Sequence, residues 1–341
     1  MRILQAMAGA KYGGAENFFV RLALGLNRAG ITQSVIIRRN SIRAERLRKG
    51  GIRPLEASFG GIFDWRTKLL LKQQISNFKP DIVLTWMNRA TIKMPCGPFI
   101  HIGRLGGYYD LKYYEACDYL IGNTNKIVEY VITNGWSNNK ARYLPNFVEV
   151  SPGSSSIRKE FFTPEFAPLI LVMGRLHKNK AFDIVLRALT KIPNAYLWIA
   201  GDGPLKNELQ NLSIELGVKP RVRFLGWQEN TGNLLRACNV FVCPSRHEPL
   251  GNVIIEAWAH SKPVVATNSA GPGDLIDHLQ SGILLPIDDH VALAKEVEKI
   301  LINKDFGEKM ALQGHNVYLE KFTEKVVVEK YIKFFKELLG S

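Results

Sequence analysis

Four stretches of this chain place glycine, cationic and carboxylate side chains directly after short apolar runs. The first, Gly174-Arg175-Leu176-His177-Lys178-Asn179-Lys180, leads into a helical pattern from about Ala181. Fixed positive charge beside the free N–H groups of a helix start suits a phosphate or pyrophosphate, although a lysine-rich surface loop has the same composition. The second, Gly201-Asp202-Gly203-Pro204, permits close backbone approach, or simply a tight turn. The third runs from Pro244 through Glu248, Pro249, Leu250, Gly251 and Asn252 to Glu256. Gly251 and Asn252 would open a helix there, with Glu256 about one turn inside it. Carboxylates accept bidentately from vicinal hydroxyls, so two of them flanking an anion-binding helix start could grip sugars on both sides of a diphosphate. The fourth, Gly271-Pro272-Gly273-Asp274, also opens a helix. Four such loops on one sheet edge are hard to attribute to turns alone.

The elements that must carry these loops follow from periodicity. Strand patterns cover Leu169–Met173, Tyr196–Ala200, Val222–Leu225, Val240–Cys243, Pro263–Ala266 and Ile283–Leu285, with helical patterns between most of them. An earlier series comprises Arg2–Met7, Ser34–Arg38, Asp81–Trp86, Phe99–Gly103 and Tyr119–Gly122, with a glycine-rich turn at Gly9–Gly14. A helix over Glu16–Asn27 buries Phe18, Leu22 and Leu26, spaced four apart. Strands alternating with helices predict two doubly wound parallel sheets. The assignment is 1–150 plus a C-terminal helix at about 322–341 for the first domain, a Ser/Pro-rich linker at 151–167, and 168–321 for the second. Open α/β sheets bind ligands outside their strand C-terminal ends, so the two crevices are expected to face across a cleft.

At 341 residues, 46% hydrophobic and 22% charged, the chain excludes disordered, collagenous and small disulfide-rich classes. No run approaches a membrane span, and the first apolar stretch is too short for a secretory core. Cys96, Cys117, Cys238 and Cys243 form no CxxC pair and no zinc spacing, which suits buried thiols in a reducing, cytoplasmic compartment. The formal charge of +14 is lopsided: residues 1–150 carry 22 basic and 10 acidic side chains, against 23 and 21 in the remainder. Its densest part holds Arg38, Arg39, Arg43, Arg46, Arg48 and Lys49. A solvated helix face explains one such run, but confinement to one half favours an anionic partner for that half.

Taken together, Gly13-Gly14-Ala15-Glu16, Gly174-Arg175-Leu176 with Lys180, Ala200-Gly201-Asp202-Gly203-Pro204, and the Glu248 to Glu256 pair enclosing Pro249, Leu250 and Gly251 resemble the retaining nucleotide-sugar glycosyltransferases of family 4. Leu144-Pro145-Asn146-Phe147-Val148 is similar to the segment that ends that family's first domain. The resemblance spans most of the chain and implies the α/β GT-B architecture, with two Rossmann-like domains. It is similar to bacterial lipopolysaccharide and glycolipid transferases. By this resemblance Arg175 and Lys180 neutralise the leaving diphosphate, Glu256 accepts the ribose hydroxyls, and Glu248 holds the donor sugar. Gly174, Gly203, Leu250, Gly251 and Asn252 complete the donor site, and Gly14 lets the first-domain loop approach the phosphates. The final helix is implied to return to the first domain, and no metal ion or cofactor is required.

One departure concerns a histidine that many relatives carry at the end of a first-domain strand. The corresponding position falls on Gly106 or on His101, which is either catalytic or a core histidine; Arg104 is an alternative that could face the cleft. The expected partners are thus a nucleotide-sugar donor and an anionic glycolipid acceptor, with peripheral contact at the cytoplasmic membrane face. Arg38, Arg39, Arg43, Arg46, Arg48, Lys49 and Arg104 are the candidate acceptor or membrane patch. A sugar-nucleotide epimerase on the same plan is the alternative. A dehydrogenase lacks its G-x-G-x-x-G with a distal acid, and no zinc-finger spacing or RNA-binding aromatic signature supports nucleic-acid binding.

Overall fold

The computed structural model describes residues 1–11, 13–61, 63–150 and 156–340. It divides into two compact units, Met1–Phe147 with Glu324–Ser341, and Val148–Thr323. The first unit holds β1 (Arg2–Met7), α1 (Gly14–Arg28), β2 (Thr32–Arg38), α2 (Ser41–Lys49), β3 (Leu55–Ala57), α3 (Trp65–Phe78) and β4 (Ile82–Trp86). It continues with α4 (Asn88–Lys93), β5 (Ile100–Leu105), β6 (Tyr119–Gly122), α5 (Asn125–Thr133) and β7 (Ala141–Tyr143). The second holds β8 (Leu169–Met173), α6 (Phe182–Leu189), β9 (Tyr196–Ala200), α7 (Lys206–Glu215), β10 (Val222–Gly226), α8 (Thr231–Ala237) and β11 (Val240–Cys243). Then come α9 (Asn252–Ala259), β12 (Val264–Thr267), α10 (Ala270–Leu275), β13 (Ile283–Leu285), α11 (His290–Ile302) and α12 (Lys304–Lys321); α13 (Glu324–Leu339) belongs to the first unit.

Every strand pair in the described residues is parallel. The orders are β3-β2-β1-β4-β5-β6-β7 and β10-β9-β8-β11-β12-β13. Strands covered on both faces must be apolar throughout, and β4 and β8 are buried at every residue. In each order the direction of winding reverses beside the first strand, between β1 and β4 and between β8 and β11. That switch point opens a crevice where adjacent loops diverge. Both doubly wound sheets are therefore as the strand pattern predicts.

Two features were not legible beforehand. The edge strands β3 and β7 have three residues each, too few to display alternation. The described part of the expected linker, 156–167, is packed structure rather than a spacer; residues 151–155 lie outside the described set. Arg158 is buried there, and its guanidinium donates to the carbonyls of Pro164, Glu165, Ala167 and Ala237. Its fork closes the turn onto the start of β8, which a serine- and proline-rich composition does not reveal. In the first unit, α13 lays Val327, Val328, Tyr331, Phe334 and Phe335 into the core. Val328 sits so close to Gly25 of α1 that a Cβ at position 25 would lie 2.8 Å from its methyl. Of the thiols, Cys96 is exposed rather than buried, and the other three are buried.

Candidate functional site

In the second unit, the loops after β8 and β11 flank the switch point and bring together two residues distant in sequence. Lys180 Nζ forms a short ion pair with Glu248 Oε2, and Ser245 Oγ lies 3.5 Å from the same oxygen. Burial opposes the Lys180 ammonium, but the Glu248 carboxylate outweighs it and raises the lysine pKa above its usual value. Lys180 is therefore a fixed cation. Gly174 has φ 149°, and the chain wraps so that a Cβ there would lie 3.3 Å from Lys180 Cε.

The glycine loops serve one another. Gly174 N donates to Ala200 O at 3.0 Å and Leu176 N to Asp202 O at 3.0 Å. A Cβ on Gly201, whose φ is 140°, would stand 1.9 Å from Gly174 O, so only glycine permits this contact. A Cβ on Gly203 would meet Leu176 O at 2.5 Å. The 201–203 loop thus supports the 174–180 loop from behind. Arg175 on that loop is exposed, and its side chain makes no hydrogen bond or ion pair among the described residues.

Gly251 caps α9 with φ 90° and supplies no side-chain oxygen to the first N–H groups of that helix. Leu250 beneath it is buried, Asn252 is half-buried, and Gly271 N donates to Glu248 O at 2.7 Å, pinning the 248–251 turn onto α10. Glu256, one turn into α9, is half-buried and accepts from Thr231 Oγ1 at 3.4 Å. One edge of a single sheet therefore presents a paired lysine and glutamate, an exposed arginine, a helix start and a second carboxylate. Such a set can hold a diphosphate flanked by polyhydroxyl groups.

Arg246 is the residue that sequence reasoning passed over. It forks onto Asp183 of α6 (Nη1–Oδ1 3.1 Å, Nη2–Oδ2 2.7 Å) and donates through Nε to Asp288 at 2.6 Å and through Nη1 to Lys178 O at 2.9 Å. It ties the β11 loop to the 178–180 turn and so sets Glu248 against Lys180. Asp288 is an exposed ion-pair partner of Arg246, while Asp289 caps α11 through Val291 N and Ala292 N.

In the first unit the structure corrects several assignments. His101 is buried within β5. Its Nδ1 meets Ala116 O at 3.2 Å and its Nε2 meets Thr85 Oγ1 at 3.0 Å. A carbonyl can only accept, so Nδ1 carries the proton and Nε2 accepts from the threonine hydroxyl. With both nitrogens engaged and its ring buried, His101 is held in the core of the first unit. Burial lowers its pKa below 6.5, against smaller raising effects of the Ala116 carbonyl and Asp118. The unfolded chain therefore takes up a proton that the folded one resists. The stability from neutral His101 is complete above pH 6.5 and is lost as pH falls through that value toward the lowered folded pKa. Between pH 6.5 and 5.5 the wild type should lose more stability than His101→Gln, and urea titrations at the two pH values check this.

Arg104 is also buried, and so is not part of a surface patch. Its guanidinium lies 4.6 Å from the ring centroids of both Phe18 and Trp86, donates through Nε to Tyr331 Oη at 2.9 Å, and bonds Asn146 Oδ1. The run on α2 divides similarly. Arg43 shares the helix face of Ala44 and Leu47 and is buried with them. Burial lowers its pKa, while Glu16 raises it. Arg43 Nη2 donates to Ala10 O at 2.5 Å and Ala10 N donates to Glu16 Oε1 at 2.7 Å. The two side chains clamp the N–H and the C=O of one residue in the loop before Gly14, the first residue of α1. Arg46 bonds Asn17 Oδ1, Arg48 pairs with Glu56, and Lys49 pairs with Glu45. Exposed Arg38 and Arg39 line a cavity of about 600 Å³ at the C-terminal ends of β1 and β2, with Lys11, Arg48 and Glu56.

Comparison with known proteins agrees with this geometry. Residues 12–151 match the model described as Glycosyltransferase Family 4, and residues 154–317 match Glycosyl transferases group 1. The chain is 36% identical over 332 residues to a lipopolysaccharide core biosynthesis glycosyltransferase, LpsE, of Rhizobium meliloti, covering 95% of this chain and 96% of that one. Among solved structures, a glycosyltransferase from Rickettsia africae superposes with TM-score 0.88 at 20% identity, covering 99% and 98% of the two chains. Anabaena HepE in complex with UDP-glucose superposes with TM-score 0.84 at 18% identity, covering 100% and 99%.

Proposed function

Because the chain belongs to the GT-B glycosyltransferases defined by the group 1 and family 4 models, we propose that it transfers a sugar from a nucleoside-diphosphate donor to an anionic glycolipid, a lipopolysaccharide core intermediate. A UDP-sugar is the donor class tested first, since the structural relative HepE holds UDP-glucose. The observation that carries the donor assignment is the Lys180–Glu248 pair at the second unit's switch point. In this reading Lys180 and Arg175 meet the charge that grows on the departing diphosphate, and Glu256 takes the ribose hydroxyls. Glu248 orients the sugar, and the first N–H groups of α9 face a phosphate.

Transfer is proposed to retain configuration. The sugar C1–O bond to the diphosphate breaks, the acceptor oxygen attacks from the same face, and its proton passes to the leaving phosphate oxygen. No metal ion takes part in this scheme, because side-chain cations supply the charge; an excess of EDTA should leave turnover unchanged. The basic cavity lined by Lys11, Arg38 and Arg39 supports an acidic acceptor. These steps would place the enzyme at the cytoplasmic membrane face, where nucleotide sugars are available.

Thermal stabilisation by UDP-, GDP- and ADP-sugars, followed by NMR of the product's anomeric proton, tests the proposal. Stabilisation by none of the three would overturn the donor assignment, and an inverted product the stereochemistry. Arg246→Ala should lower kcat/KM about 10- to 100-fold by loosening the two loops, with little loss of stability. Arg246→Lys should not rescue it, because an ammonium cannot reproduce the fork on Asp183.

A further inference from the structure

The polypeptide leaving β3 forms a turn held with unusual thoroughness for a surface loop. Asp64, the N-cap of α3, accepts from Ser58 Oγ (2.8 Å), Gly60 N (2.6 Å), Thr67 N (3.1 Å) and Thr67 Oγ1 (2.6 Å). From α4, Lys93 Nζ donates to Gly61 O at 2.9 Å and Arg89 Nη1 to Phe59 O at 3.2 Å. Phe59 itself is fully buried. Yet the same turn puts large apolar side chains into water: Phe63 is 93% exposed and Trp65 is 64% exposed. Leu69, one helical turn beyond Trp65, is 57% exposed, as is Ile92 of α4.

Exposed cations surround them: Arg66, Lys68, Lys72 and Arg89. Between residues 58 and 80 the one acidic residue is Asp64, and its carboxylate is spent inside the turn. Protruding aromatics on a rigid support, ringed by cations with no exposed carboxylate among them, match a surface that is apolar below and anionic above. We propose that Phe63, Trp65 and Leu69, with Arg66, Lys68 and Lys72, dock this protein on an anionic lipid bilayer.

A fluid leaflet accepts projecting rings without a preformed pocket, and tryptophan favours its interface. Each cation near an anionic leaflet strengthens binding roughly fivefold. Position supports the same occupant. Arg39 N donates to Ala57 O at 3.0 Å, so the turn leaves β3 beside the strand end that carries the basic cavity. A lipid whose charged head enters that cavity would keep its acyl chains on the side where the aromatics insert. The biological purpose of the surface rests on the acceptor reading above; its existence does not.

Sedimentation with vesicles of equimolar phosphatidylglycerol and phosphatidylcholine, free of glycolipid and donor, separates the two. The wild-type protein should bind them at least about tenfold more tightly than pure phosphatidylcholine vesicles. Phe63→Ser/Trp65→Ser and Lys68→Glu/Lys72→Glu should each weaken binding about tenfold or more, with unchanged melting temperature and unchanged UDP affinity. These side chains are exposed, so folding should not suffer. Equal binding by wild type and both variants would overturn the proposal. So would concentration-dependent self-association in ultracentrifugation that the substitutions abolish, since a second copy would then cover the patch. Failure of sugar transfer with vesicle binding intact would instead count against the acceptor reading.

Discussion

Lys180→Ala should lower kcat about 10²- to 10³-fold, the usual effect of deleting one preorganised charge from a site where charge develops. Two causes act together. The substitution removes the cation held at the β8–β11 switch point, and it leaves Glu248, largely buried in the same loop cluster, without its partner. An unpaired carboxylate there repels an arriving diphosphate and costs folding stability, up to about 3 kcal/mol for a pair this enclosed. Lys180→Ala/Glu248→Gln separates the contributions: stability should largely return, while turnover should stay low. Glu256→Ala should behave differently, weakening nucleotide binding about tenfold by calorimetry with a smaller effect on kcat. Wild-type turnover in Lys180→Ala would remove the basis of the donor assignment.

The largest stability effect is expected at Arg104. Replacement by alanine withdraws a desolvated cation from between two aromatic faces, worth about 2 kcal/mol, and removes the buried hydrogen bonds that Arg104 donates to the Asn146 amide oxygen and the Tyr331 hydroxyl. A total loss of about 3–5 kcal/mol should appear in urea unfolding of the whole chain. Tyr331→Phe, which removes one bond, should cost about 1 kcal/mol. Hydrogen exchange offers a second readout, since amides of α13 should lose protection before those of β1 and β4. A change at Arg104 that left α13 protected would show that its apolar face alone holds that helix.

Much of this was written locally. The run Leu169–Met173 is apolar at each position because both faces of β8 are covered, and its bounds can be read from composition. The α13 pattern likewise marks a helix at Glu324–Leu339, but an amphipathic stripe states that a face must be covered without stating by what. Glycines 174, 201, 203 and 251 are visible as turn signals, whereas the 1.9 Å approach that makes Gly201 irreplaceable depends on a neighbouring loop. Charge was the least faithful guide. The cluster on α2 reads as one patch, yet helical geometry sends Arg43 inward to clamp Ala10 and leaves its neighbours outside.

What the sequence by itself determined is the alternation of strand and helix, the loops that follow the strands, and the residue types those loops carry, because periodicity and turn chemistry act over a few neighbouring residues. Tertiary structure alone decided which distant residues meet. Lys180 finds Glu248 across 68 positions and Arg104 finds Tyr331 across 227, and it sent His101 and Arg104 to the core. Such pairings depend on strand order and sheet winding, which a linear pattern of hydrophobic and polar residues does not encode one contact at a time.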